Sequence, residues 1–168
     1  WNDADGNGKL TNDEVILADE PTFQGVALPK WQRTLFADIR LLDWINISTL
    51  FEGRGGHLTA NDTEGFRCGR RSTYGCDAVG RPDASLYEQA RYIADRYLGS
   101  SEGYLEKADF WKWREISVSF DMPTFVTEYA SQLNGLRVTL AGRNLATWTD
   151  YTGIDPETVE GGGNANFS

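Results

Sequence analysis

Four stretches of the chain alternate apolar and polar residues with a period of two, the signature of β-strands whose two faces meet different surroundings. In 31–42, Trp31, Leu35, Ala37, Ile39 and Leu41 share one face, and Gln32, Thr34, Asp38 and Arg40 share the other. In 45–55, Ile45, Ile47, Thr49 and Phe51 oppose Asn46, Ser48, Glu52 and Arg54. Ile116, Val118, Phe120 and Met122 alternate with Glu115, Ser117, Ser119 and Asp121 in 110–122. The last stretch, 136–149, sets Leu136, Val138 and Leu140 against Arg137, Thr139 and Arg143. Leu50 and Leu145 break the alternation, and Lys112 and Arg114 fall on the apolar register of the third stretch.

The connections alternate in length. Only the neighbourhood of Leu41 to Trp44 separates the first two strands, and a short segment closing on the turn pair Asn134-Gly135 separates the last two. Between the second and third strands lies a much longer stretch, and a Gly- and Asn-rich segment follows the fourth. Short connections thus fall at one end of the sheet and long ones at the other, as in outer-membrane barrels with tight periplasmic turns and long external loops. Within the long connection, 82–99 reads as a helix. Ser85 and Glu88 form a capping box, Leu86, Ile93 and Tyr97 form a stripe, and Gly99 is a stop.

Alternation alone does not say which way the faces point. A soluble sandwich buries its apolar face, whereas a membrane barrel turns it to lipid and lines a lumen with the polar one. Trp31, Trp44, Trp111, Trp113, Trp148 and Tyr151 bunch toward strand ends, as interfacial girdles do, and the polar face is heavily charged. The expected fold class is therefore all-β: antiparallel strands of a transmembrane β-barrel, incomplete in this chain, with long extracellular loops and one loop helix. The organisation reads as an extracellular acidic loop over 1–28, strand hairpins over 29–59 and 109–149, a helix-bearing extracellular loop over 60–108, and a further extracellular loop over 150–168. The alternatives are a secreted calcium-stabilised β-sandwich for adhesion or carbohydrate binding, and a released piece that self-assembles through its strand edges. A sandwich would bury Ile116, Val118, Phe120 and Met122 against a second sheet.

Composition narrows the partners. A formal net charge of -9 without clustered Lys and Arg excludes a nucleic-acid backbone as ligand. No apolar run reaches the length of a membrane-spanning helix, which leaves a membrane strand open. The chain opens inside a loop motif without a Met, and the expectation is a piece of a longer protein. Cys68 and Cys76 flank a short polar stretch that a disulfide can close, implying an oxidising compartment; two free thiols or half of a metal site are the other readings.

The opening "DADGNGKLTNDE" has the oxygen spacing of a twelve-residue calcium loop. Asp3, Asp5 and Asn7 supply side-chain oxygens, Lys9 its backbone carbonyl, Thr11 the water-bridged ninth position, and Glu14 the bidentate twelfth, while Gly8 permits the turn. A hard cation favours such clustering, and calcium is the expected structural ion. No room exists before Asp3 for the first helix of a sensor pair, so an ion here would pin a loop. Asp155-Pro156-Glu157 marks a turn in preference to paired catalytic carboxylates, and His57, the only histidine, reads as a loop-packing residue. Tyr74, Tyr87, Tyr104 and Trp148 are candidate platforms for sugar rings. No enzymatic constellation is present in the sequence.

"YLEKADFWKWREISVSFDMP" and "LRVTLAGRNLATWTDYTGIDPE" resemble the C-terminal barrel region of TonB-linked outer-membrane receptors of the SusC/RagA type. In that family an aromatic-rich "ADF" segment leads into a strand ending at Pro, and a later strand runs through "GRNL" toward "YTG" and "DPE". The opening acidic loop, "PTFQGVALPKWQ" and "FEGRGG" are similar to the run-up of the same family. The resemblance implies a plugged barrel energised through TonB, with a SusD-like surface lipoprotein delivering a glycan or peptide ligand. It places the strands against membrane lipid in the bacterial outer membrane, with Asp38, Arg40, Glu52, Arg54, Glu115, Asp121, Arg137 and Arg143 facing the lumen.

Overall fold

The computed structural model describes residues 1–69, 76, 81, 83–122 and 135–158. Its strands are β1 (Trp31–Leu41), β2 (Ile45–Gly55), β3 (Leu58–Ala60), β4 (Leu105–Lys107), β5 (Phe110–Asp121) and β6 (Arg137–Thr149), and its α-helices are α1 (Asp62–Gly69) and α2 (Leu86–Ile93). The chain divides into two compact units, Pro29–Gly55 with Asp109–Thr149, and Trp1–Leu28 with Gly56–Ala108 and Asp150–Ser168.

The first unit is the antiparallel sheet β1-β2-β5-β6, built from the four alternating stretches. Residues directly opposite each other share a face. Leu35↔Phe51, Ala37↔Thr49, Ile39↔Ile47 and Leu41↔Ile45 pair on the apolar side, continuing into Thr49↔Ile116, Ile47↔Val118 and Ile45↔Phe120, then Gly142, Leu140 and Val138 of β6. Among the described residues no second sheet covers this side. Leu35 remains 59% exposed, Ile39 52% and Leu140 65%, and Ile116, Val118, Phe120 and Met122 are only half-buried. A sandwich core is not what these side chains form.

The residues out of phase in the sequence mark a β-bulge. Leu50 lies opposite Glu115 but Phe51 lies opposite Trp113, so Arg114 is an extra residue in β5 relative to β2. Side-chain period two then inverts across Arg114. Trp111 and Trp113 join Phe51 on the apolar face, and Lys112 joins Glu52 on the polar one. β6 carries an extra residue in turn, between the pairs Glu115↔Arg143 and Trp113↔Ala146, where Asn144 sits at φ 51°. Leu145 follows it and lies over Gly142, whose added Cβ would stand 2.9 Å from Leu145 Cδ2 and 3.8 Å from Ile116 Cγ2. That location is the apolar face. Leu50, paired with Phe36, is an apolar pair on the otherwise polar side.

Aromatic rings border the apolar face at both ends. At one end Trp31 meets Trp111 at 6.1 Å, and Phe51 stacks on Trp113 at 5.4 Å and approaches Trp148 at 6.4 Å; at the other, Trp44 meets Phe120 at 6.4 Å. The eleven residues of β1 between these rows span about 33 Å at ~3.3 Å per step. Tilted by roughly 40°, as barrel strands are, that length rises about 25 Å, the height of an outer-membrane apolar band. Tyr151 does not belong to either row. It is buried in the second unit, where its hydroxyl donates to the Ala60 carbonyl at 3.1 Å.

The chain turns between β1 and β2 at Leu42 and Asp43, both with positive φ (52° and 58°). Met122 N–H donates to the Leu136 carbonyl at 2.9 Å where β5 and β6 leave the sheet; Asn134 of the expected turn pair lies outside the described residues.

The second unit gathers the remaining segments. β2 ends at Gly55, short of the expected hairpin boundary at 59, and β3 pairs instead with β4 in a two-stranded ribbon. Among the described residues two α-helices occur where one was expected. α1 begins after Asn61, whose Oδ1 accepts the Glu64 N–H at 3.0 Å, and it carries Asp62 and Glu64 in its first turn. α2 begins with the expected capping box: Ser85 Oγ accepts from Glu88 N–H at 3.2 Å, and Glu88 Oε2 accepts from Ser85 N–H at 3.0 Å. It widens into a π turn over Ala94–Leu98 and stops at left-handed Gly99. Its buried residues are Ala90 and Ile93, packed with Val15; Tyr97 is exposed and meets Tyr92 edge-on. Cys68 and Cys76 form a disulfide, with Cα atoms 4.9 Å apart, buried beside Tyr104. Tyr104, read as a candidate sugar platform, is thus a core residue, and burial pushes its hydroxyl up to about 12.

Gly53 and Gly55 are required by the aromatic row. A Cβ on Gly53 would lie 2.7 Å from the Trp111 indole, and one on Gly55 2.5 Å from Trp31 Cζ2. Substituting Gly53→Leu should displace Trp111 and cost about 1–3 kcal/mol. Denaturant unfolding in detergent, followed by Trp fluorescence, measures this as a lowered midpoint. Gly135→Ala, where the added Cβ meets nothing within 4 Å, is the control. Equal midpoints for the two variants would contradict this packing.

Candidate functional site

Two sets of polar residues are organised well enough to carry function. The first is the opening loop, which folds because its carboxylates accept its own N–H groups. Asp3 accepts from Asn7 N–H (3.2 Å) and Gly8 N–H (3.0 Å), and Asp5 accepts from Asn7 N–H (3.1 Å). Gly6 and Gly8 supply the left-handed backbone, at φ 68° and 75°. Glu14 closes the loop: Oε1 accepts from Ala4 N–H at 2.9 Å, and Oε2 from the Thr11 N–H and hydroxyl at 2.8 and 2.9 Å.

Of the six ligand residues read from the sequence, the fold brings the carboxylates of Asp3, Asp5 and Glu14 together, one oxygen of each lying within 4.8 Å of the others. Asn7 is tied to the same group, its amide donating to Asp5 and its Oδ1 accepting from Lys9 N–H at 2.7 Å. Thr11 acts through Glu14, which its hydroxyl and N–H hold in place. Oxygens bound to one calcium at 2.3–2.6 Å can stand up to roughly 5 Å apart across the ion, so the donor set suits that radius. The Thr11 N–H, Ala4 N–H and Thr11 hydroxyl, in that order, hold the Glu14 carboxyl below its ordinary 4.5.

Sequence reading missed the anchor of this loop. Gln89, on α2, accepts the Leu10 N–H through Oε1 at 2.8 Å and donates through Nε2 to the Gly8 carbonyl at 3.0 Å and the Ala84 carbonyl at 2.9 Å. Leu10 also packs against the buried cluster of Val15, Ala90 and Ile93. No local spacing signals a contact between residues 79 positions apart.

The second set is the polar face of the sheet, where cross-strand partners satisfy one another. Asn46 donates to Asp38 at 3.0 Å, Ser48 and Ser117 hydroxyls meet at 2.7 Å, and Ser119 meets Thr139 at 2.9 Å. Arg137 grips Asp121 through Nε and Nη2, Arg143 donates to Glu115 at 3.1 Å, and Arg40 stands 4.0 Å from Asp121. The bulged Arg114 donates to Glu52 at 2.7 Å. Asp38, Arg40, Asn46, Ser119 and Arg137 line an open recess of about 300 Å³.

Asp155 accepts Glu157 N–H at 2.9 Å and its carbonyl accepts the Thr158 hydroxyl at 3.0 Å, the hydrogen bonds of a turn. Buried His57 offers its carbonyl to Ala108 N–H at 3.1 Å. Thr152, in the "YTG" block, is fixed to Asn61 Nδ2 (2.9 Å) and Glu106 (2.8 Å). Tyr87 is exposed with Trp1 edge-on at 6.1 Å, Trp148 stands in an aromatic row of the sheet, and Tyr74 lies outside the described residues.

No protein-family model matches the chain, and no curated protein matches it. Among solved structures, the RagAB peptide importer in its open-open state contains a similar region, with a TM-score of 0.52 and 20% identity over 86% of this chain and 17% of that one. The RagAB peptide transporter and the closed-closed importer each match at a TM-score of 0.45, with 21% and 20% identity, over 67% of this chain and 13% of theirs. The chain therefore spans less than a fifth of the length of these proteins. At 20% identity the open-open importer likeness is one of fold: an antiparallel sheet with few helices, and no helix among the described residues long and apolar enough to cross a membrane.

The lowered Glu14 value sets the sign of a pH effect. A carboxyl depressed in the folded loop stabilises it above the unfolded value, and that contribution is lost as pH falls through the folded one. In metal-free protein, an NMR titration of the Ala4 and Thr11 amides should therefore give a midpoint below 4.5, and Glu14→Gln should flatten it. A midpoint at or above the ordinary value would refute these hydrogen bonds.

Proposed function

We propose that this chain forms part of the wall and external loops of a TonB-dependent outer-membrane importer of the SusC/RagA type. One observation carries the reading. The apolar face of the sheet stays uncovered among the described residues and is bordered by aromatic rows at both ends, while the opposite face is charged and internally hydrogen-bonded. Left in water, such a face costs about 25 cal/mol for each Å² of apolar surface; against lipid it costs nothing comparable. The polar face lines the lumen, where the paired Arg and acidic side chains hold their partners on neighbouring strands. The passage carries a nutrient such as a glycan or peptide, in a receptor that works with a SusD-like surface lipoprotein and TonB. The fold likeness to a peptide importer supports this class.

The loop of Asp3, Asp5, Asn7, Lys9, Thr11 and Glu14 belongs to the external part and takes calcium as a structural ion. Its support is the sequence spacing together with the 4.8 Å convergence of three carboxylates. The ion would neutralise that concentration of negative charge and fix the loop; no step of transport is assigned to it.

Two measurements test these readings. In chain reconstituted into lipid, Leu140→Arg at the middle of the apolar face should lose about 2–4 kcal/mol of stability, and Thr139→Arg on the other face close to none. Equal tolerance of both, with a monomer that stays soluble without detergent, would remove the membrane reading. For the loop, calorimetry should show calcium binding that Glu14→Ala weakens at least about tenfold; an absence of binding heat and of terbium luminescence would end the calcium assignment.

A further inference from the structure

We infer that Gln89 is a positioning residue for the calcium loop, and that through it an ion at Asp3, Asp5 and Glu14 stabilises helix α2. The inference rests on the calcium reading above. Lys9 supplies the one backbone ligand of the set, and aiming its carbonyl requires fixing its own peptide group, which it shares with the Leu10 N–H, and the preceding one, which carries the Gly8 carbonyl. Gln89 does this with a single side chain. Its Oε1 takes the Leu10 N–H at 2.8 Å, on one side of Lys9, and its Nε2 gives a hydrogen bond to the Gly8 carbonyl at 3.0 Å, on the other.

The second Nε2 hydrogen goes to the Ala84 carbonyl at 2.9 Å, just before the α2 cap. Both donors of the amide are therefore used, and its carbonyl is occupied. A primary amide is the group this arrangement demands. Glutamate lacks the donors for the Gly8 and Ala84 carbonyls, and methionine fills the volume with no strong hydrogen bond of either kind.

The same bonds make ion binding and helix order one equilibrium. Gly8, which Gln89 holds from one side, has its N–H on Asp3 at 3.0 Å. Leu10 and Val15 pack against Ala90 and Ile93 of the helix. Drawing the carboxylates onto an ion tightens the loop, and the Gln89 amide transmits that tightening to α2. Apolar packing alone is indifferent to the direction of the Lys9 carbonyl.

Gln89→Met and Gln89→Glu in the full chain, held in detergent, test the assignment. Calcium is the probe, its affinity is read by calorimetry, and hydrogen exchange reports the amides of 86–93. In the wild-type chain calcium should slow exchange in both the loop and α2. In each variant the affinity should fall about 10- to 100-fold, as for groups that orient metal ligands. At saturating calcium the loop should still gain protection while α2 gains none. Circular dichroism without calcium verifies that the helix forms in both variants, and Met and Glu are both good helix formers.

Wild-type affinity in both variants, or undiminished calcium protection of α2, overturns the role of Gln89 and leaves the calcium loop intact. A wild-type chain that binds no calcium overturns both.

Discussion

Everything in the sheet follows from the requirement that each strand keep one face apolar and one face polar over its whole length. A period of two enforces this only while the ladder is regular, and a single inserted residue exchanges the faces. At Arg114 the sequence contains such an insertion, and its two sides are in opposite phase. Without the bulge, Trp111 and Trp113 would join the charged side and Lys112 the apolar side. With it, the three tryptophans Trp31, Trp111 and Trp113 and the ring of Phe51 meet on one surface. The bulge is what makes an aromatic row of residues that come from three strands in two phases.

The row has a steric consequence for its neighbours. Broad indoles across from one another need room above the intervening strand, and β2 provides it with Gly53 under Trp111 and Gly55 under Trp31. Glycine weakens a strand through its backbone freedom and its missing side chain. Here the indoles of adjacent strands fold over the glycines and cover the exposed backbone, so the loss is partly offset. On the opposite face the same strands use short hydroxyl pairs, Ser48 with Ser117 and Ser119 with Thr139, beside the arginine–carboxylate pairs. These cross-strand pairs fix register from the side that packing does not reach.

Much of this was legible in the sequence. Four strands, their antiparallel order and their face assignments follow from alternation, because neighbouring side chains on a strand have no freedom to choose another face. Lys112 and Arg114 stood out as exceptions, and the exception was itself the signal of the bulge. The helix at Leu86 was legible for a different reason: its capping box is local, so Ser85 and Glu88 suffice to announce it. α1 was missed although Asn61, Asp62 and Glu64 mark a helix start, since Gly65 inside an eight-residue segment weakens the pattern. Tyr151 and Tyr104 were misread as surface aromatics. Whether a ring is a core residue depends on what the distant chain brings to it, as the Cys68–Cys76 disulfide and the Ala60 carbonyl do. The acidic loop shows both limits together: the convergence of Asp3, Asp5 and Glu14 follows the spacing, and the anchor Gln89 is invisible to it.

The second unit raises a separate problem of stability. Among its described residues the buried clusters are small, Val15 with Ala90 and Ile93, and Tyr104 with the two cysteines, joined by contacts of Tyr92 with each. Clusters of that size offset only part of the entropy of ordering long loops. Closing a loop with a sequence separation of 8 supplies about 2–3 kcal/mol through the unfolded chain. Arg91 adds an ion pair with Glu64 at 3.1 Å and lies 5.1 Å above the Tyr104 ring, linking α2 to α1 within the same cluster. The opening loop adds no comparable burial of its own. Its three converging carboxylates are held by the N–H groups and the hydroxyl they accept from, enough at Glu14 to keep its carboxyl below the ordinary value. On the calcium reading proposed above, a divalent cation at that point would neutralise the remaining negative charge, and the loop's packing beside Ala90 and Ile93 would then be coupled to ion binding.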